Sequence, residues 1–169
     1  MPPKEEYPPL LPLGFHEKTL KELHELCVSP FDSKSKTRKI IMQGLEIVVA
    51  DMLAAKIEAK IWVDGSFVSE KIDPGDVDIL AELRGEFYDV TTPEQRRLLD
   101  ALNGNIHKDS LRVDSRAWSF YDDSSHPDYW NSVWWRGYWL NYFGFYRNDG
   151  PNSYETKGIA LLILPGCDQ

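Results

Sequence analysis

The chain has 169 residues, of which 42% are hydrophobic and 27% charged, a balance that supports one domain with a core of its own. Asp and Glu number 27 against 19 Lys and Arg, and the resulting net charge of -8 argues against tight, sequence-independent binding of long nucleic acid. Cys27 and Cys167 lack zinc-ligand or disulfide-framework spacing, and no apolar run reaches the roughly 20 residues of a membrane span. The first residues also lack a signal-peptide layout, so a soluble, cytoplasmic protein with free thiols is expected.

Met1 to Gly14 carries five prolines and reads as an extended arm, pressed onto the body by Leu10, Leu11, Leu13 and Phe15. A helix is expected over about 17–28, with Leu20, Leu23 and Cys27 on one side. After a polar loop, Ser33 or Ser35 caps a second helix over about 36–57, whose Ile41, Leu45, Val48 and Met52 form an apolar stripe interrupted by Gly44. Strands follow over 59–64 and 76–83. Pro93 opens a helix that Asn103-Gly104 stops, and 111–120 reads as a third strand. An aromatic helix over 127–145 and a last strand over 158–164 complete the chain. The pattern predicts a single mixed α/β domain over 1–169, with a small central sheet covered by helices.

One stretch carries chemistry: Ile61 to Leu80, IWVDGSFVSEKIDPGDVDIL. An apolar strand ends in Gly65-Ser66, and nine residues separate that pair from Asp76-Val77-Asp78. Strand alternation sends Asp76 and Asp78 to one face and Val77 and Ile79 into the core. Two carboxylates so close repel each other unless a cation lies between them, and magnesium is a cation that carboxylates and phosphates share. Gly65 permits close backbone approach and Ser66 supplies a hydroxyl and an amide, so a phosphate cradle faces an acid pair.

These residues resemble the signature of the nucleotidyltransferase superfamily that includes polymerase β and the minimal bacterial nucleotidyltransferases. The signature spans about a ninth of the chain. A resemblance to an uncharacterised bacterial group of nucleotidyltransferase-like proteins runs further, through Pro9 to Gly14, Gly65 to Lys71 and Lys157 to Ile159. The resemblance implies a nucleotidyltransferase-like fold and a nucleoside triphosphate as substrate. It also implies magnesium or manganese held by Asp76, Asp78 and a third acid from a later strand. Asp114 matches that third acid best, flanked by apolar residues in an expected strand, and Asp109 and Asp122 lie in turn-like sequence. Asp114 also reads as an edge-strand charge paired with Arg112 or Arg116. Phe67 and Val68 depart from the small or basic residues many minimal members carry after Gly-Ser, which leaves further triphosphate contacts unassigned.

Lys71 and Lys157 each read either as a phosphate ligand or as an exposed lysine, and Asp64 as a turn or capping residue. The implied activity is transfer of a nucleoside monophosphate to a hydroxyl on RNA, protein or another nucleotide. The alternative is a non-catalytic binding protein on the same fold, such as an antitoxin or a component of antiviral defence. The aromatic helix, with four of the six tryptophans, places Trp130, Trp134, Tyr138 and Tyr142 on one side and extends through Trp135, Trp139 and Phe143. Core packing, a protein partner or homodimer surface, and a nucleobase-stacking wall all suit it.

Overall fold

The computed structural model describes residues 7–147 and 154–166, with the side chain of residue 147 excepted. The start of the arm and Cys167 lie outside the described residues. Five strands form a mixed sheet in the order β1-β7-β2-β3-β4, namely Gly14–Glu17, Gly158–Ile163, Lys60–Asp64, Val77–Arg84 and Val113–Phe120. β1 runs parallel to β7 and β3 parallel to β4, whereas β2 is antiparallel to both its neighbours. A second, two-stranded ladder joins β5 (Phe145–Arg147) to β6 (Tyr154–Thr156). The mixed α/β class expected from the pattern is the observed one.

Alternation along the strands splits the sheet into two faces. One face carries Ile61, Val63, Val77, Ile79, Ala81 and Leu83. It buries them under α1 (Leu20–Cys27), α2 (Arg38–Ala54) and α4 (Pro93–Asn103) through Leu23, Cys27, Ile41, Leu45, Leu99 and Leu102. Trp62, Leu80, Trp118, Ile159 and Leu161 lie in a second cluster with Phe143, and Trp139 packs against it, both from α6 (Tyr129–Gly144). Two short helices, α3 (Gly85–Asp89) and α5 (Lys108–Leu111), link the strands.

Local chemistry explains the helix starts. Thr19 with Glu22 and Thr92 with Gln95 form capping boxes at α1 and α4, each serving orphan backbone N–H groups. Ser35, expected as a cap, accepts from the amides of Thr37 and Arg38 at 3.2 Å each. Several boundaries need correction. Residues 14–17 form an edge strand where arm and helix were expected, because β7 offers them a parallel partner. The strand expected from residue 111 starts at Val113, since Lys108–Leu111 closes a helical turn first. The described part of the arm does pack on the body: Leu11 is buried and its carbonyl accepts from Gly158 at 3.1 Å. Leu13 points to solvent. No helix among the described residues is long and apolar enough to cross a membrane.

Candidate functional site

The Gly-Ser segment leaves the end of β2 as a single 3₁₀ turn, Gly65–Val68. Phe67 and Val68, the residues that depart from the resembled pattern, are buried in the core and anchor the turn from beneath. Arg38, at the start of α2 and 1% exposed, holds the loop from behind. Its guanidinium donates to the carbonyls of Cys27 and Phe67 at 2.6 and 2.7 Å and of Ser69 and Lys71 at 2.6 and 2.5 Å. Four carbonyls converging on one cation leave the loop little freedom. Further along, Asp73 accepts from the Lys36 amide and the Ser35 hydroxyl, and these bonds hold its carboxyl below the usual range. The arm closes the other side: Leu10 donates to the Val68 carbonyl at 3.1 Å and Glu70 to that of Pro8 at 2.8 Å.

Strand register assembles the acids. Asp64 on β2 stands opposite Asp78 on β3, and Asp78 opposite Asp114 on β4, so the three form a row across neighbouring strands. That row lies on the α6 face, by alternation from Trp62 and Leu80. Asp76 comes just before β3, two residues from Asp78. Gly65 adopts φ +78°, and a Cβ there would lie 1.8 Å from Asp78 Oδ2. The close approach that glycine permits at this turn is therefore to the Asp78 carboxylate itself.

A lysine stands among these acids. Lys108, on α5, donates from Nζ to Asp114 Oδ2 and lies 3.5 Å from Asp76 Oδ2. Its hydrogen bond to Asp114 raises its pKa above the ordinary lysine value. Arg116 Nη1 lies 3.3 Å from the other Asp114 oxygen, so the edge-strand ion pair expected for Asp114 is present beside its neighbour Asp78. Among the described residues no three His, Cys, Asp or Glu side chains form a ready-made metal-ligand group. Asp109 and Asp122 are exposed, and the Gly44 that interrupts α2 meets the backbone of α5, where a Cβ would lie 2.0 Å from the Leu111 carbonyl oxygen.

Between the turn and α6 lies a cavity of about 230 Å³, lined among others by Gly65, Ser66, Asp78, Tyr142, Phe143 and Lys157. Asp64 is on its wall, 3% exposed, with Oδ2 at 2.6 Å from Lys157 Nζ and Oδ1 without a partner. Burial raises its pKa to about 7 although Lys157 pulls the other way. Asp64 makes no side-chain cap for the turn, so its expected turn or capping role gives way to a buried ion pair with Lys157. Lys71, by contrast, is not on the wall of this cavity; its Nζ stands 5.7 Å from the centre of the Tyr7 ring. A second cavity, of about 150 Å³, lies beside the first and touches Asp78, Asp114, Arg116, Tyr138, Trp139 and Tyr142. Burial, followed by the charges of Asp78 and Asp114, raises the Tyr142 pKa.

The aromatic helix divides as helical spacing places its residues, but only one side serves the core. Phe143 is buried and Trp139 packs against the second cluster. Trp130, Trp134, Tyr138 and Tyr142 stay between 43% and 72% exposed. Trp134, Tyr138 and Tyr142 stack in sequence, with ring centres 6.1 and 6.2 Å apart and planes within 19° of parallel. Core packing is therefore not what this stripe does. Arg38 and Lys108 carry no motif, whereas Asp64 and Lys157 each lie in a segment of the resemblance that gives no sign of their pairing, although the position of Asp64 at the end of a buried strand was a usable signal.

Residues 2–163 match the model of a family of unknown function, DUF6932, and the chain belongs to that family. Neither a curated protein nor a solved structure matches it.

Proposed function

For this member of DUF6932 we propose a magnesium- or manganese-dependent nucleotidyltransferase that moves a nucleoside monophosphate from a nucleoside triphosphate to a hydroxyl acceptor. The observation that carries the reading is the register that sets Asp78 beside Asp114 on β3 and β4 while the Gly65 turn closes on Asp78. A hard divalent cation suits this donor set: Asp76, Asp78 and Asp114 offer carboxylate oxygens, and the Lys108 ammonium between Asp76 and Asp114 marks a place that favours positive charge. Held there, such a cation would supply the charge that neutralises phosphate and would acidify the attacking hydroxyl.

The chain's own groups divide the remaining work. Gly65 and Ser66 turn the backbone beside the cavity so that the Ser66 hydroxyl meets a phosphate oxygen. Lys157, on the cavity wall, is better placed than Lys71 to meet the phosphate as a cation. Tyr142, 59% exposed on the cavity wall, offers a ring face for the nucleoside, with the buried Phe143 behind it. The acceptor hydroxyl, its proton drawn toward the Asp78–Asp114 side, attacks the α-phosphorus in line and pyrophosphate leaves.

The second reading, a non-catalytic antitoxin or defence-system protein on the same fold, draws on the exposed Trp130–Tyr142 stripe, which suits a protein partner or a second copy. Incubation with each labelled triphosphate, magnesium or manganese, total RNA and candidate proteins separates them. Label transfer by the wild type that is lost in Asp76→Ala/Asp78→Ala, with partner binding retained, supports the enzyme. No transfer under any of these conditions removes the catalytic reading.

A further inference from the structure

The acids on β3 and β4 are not bare. Lys108 Nζ hydrogen-bonds Asp114 and lies 3.5 Å from Asp76, so one ammonium touches two carboxylates of the proposed cation site. The fold fixes the backbone that carries it. α5 is a single turn pressed against α2 at Gly44, where no side chain fits, and it leads directly into β4 through Arg112. The Lys108 side chain is 45% exposed, so it can leave toward water at modest cost. An ammonium between two carboxylates relieves the same repulsion that a divalent cation would relieve, and the two cannot occupy one place.

We propose that Lys108 is the resident counter-ion of the Asp76–Asp78–Asp114 site and competes with the divalent cation for it. The proposal rests on the metal-binding reading above. It makes cation binding an exchange: the Lys108 ammonium swings out as a cation binds, and Asp76 and the Asp114 oxygen that Lys108 held would then be open to the metal beside Asp78, with Arg116 remaining on the other Asp114 oxygen. Lys108 is a positioning residue in this scheme, since it acts by holding two ligands apart from the metal until exchange.

Mn²⁺ alone, without nucleotide, is the probe. Its binding to the full chain is measured by calorimetry and by the loss of free-ion paramagnetic signal. Wild type is compared with Lys108→Met, Lys108→Arg, Arg112→Gln and Asp78→Asn. Arg112, whose guanidinium donates to the Gly75 carbonyl at 3.3 Å, controls for loss of one nearby positive charge. Lys108→Met should bind Mn²⁺ about five- to tenfold tighter, the size expected for removing a partly exposed ion-pair network. Lys108→Arg should stay near wild type, Arg112→Gln should gain less than twofold, and Asp78→Asn should lose binding. Unchanged or weaker affinity in Lys108→Met, or an equal gain in Arg112→Gln, overturns the competition while leaving the metal site standing. Binding by none of the proteins, or binding indifferent to Asp78→Asn, overturns the metal site and the competition with it.

Discussion

At Gly65 two constraints coincide, a positive φ and the Asp78 carboxylate in the space a side chain would need. Gly65→Ala should therefore both strain the turn and push Asp78 out of the row, costing about 1–3 kcal/mol of stability in denaturant unfolding. Asp64 behaves differently, since its burial raises its pKa to about 7 from the ordinary 3.8. Between those values the unfolded chain has released the proton that the folded chain still holds, so folding weakens as pH rises. The stability of wild type relative to Asp64→Asn should fall from about pH 4 to 7 and level off above; a flat difference would remove the assignment. Lys157 is its partner at 2.6 Å, and the sequence placed Lys157 and Lys71 on equal terms because both sit in loops flanking apolar runs.

At the scale of elements, α2 and the Gly-Ser loop act as a pair. Arg38 carries the coupling, with its guanidinium closed over by the rings of Phe31 and Phe67 at 3.7 and 5.6 Å. Arg38→Met would leave four carbonyls without their donor, and a loss of about 3 kcal/mol is expected in thermal or denaturant unfolding, with the loop the first segment to open by hydrogen exchange. For α6 the expectation is the reverse. Trp130→Ala with Trp134→Ala removes rings that are 72% and 63% exposed, so stability should change by only about 0.5 kcal/mol. A larger loss would mean that the stripe serves the fold after all, whereas weakened self-association or partner binding in light scattering would mark it as an interface. The Gly44 that weakens the α2 pattern has its reason here too: the approach of α5 needs the missing side chain.

Across the whole molecule, three segments far apart in sequence meet around one turn. The arm joins through Leu10 and Leu11, the motif through Gly65 to Ser69, and the last strand through Lys157 and Gly158. The mixed α/β class, both motif strands, the helix opening at Pro93 and the partnership of Asp78 with a later acid at Asp114 were legible in the sequence. The first three rest on local signals, namely period-two or helical spacing, caps, and residue types set a few positions apart, whereas Asp114 was singled out by the family resemblance and by its apolar-flanked place in an expected strand. Tertiary structure alone decided that Asp64 joins the acid row, that Lys108 stands between Asp76 and Asp114, that Arg38 clamps the loop, and which side of α6 is left to solvent. These depend on strand order and on which elements come to lie against each other, and such long-range pairings leave no period in the chain.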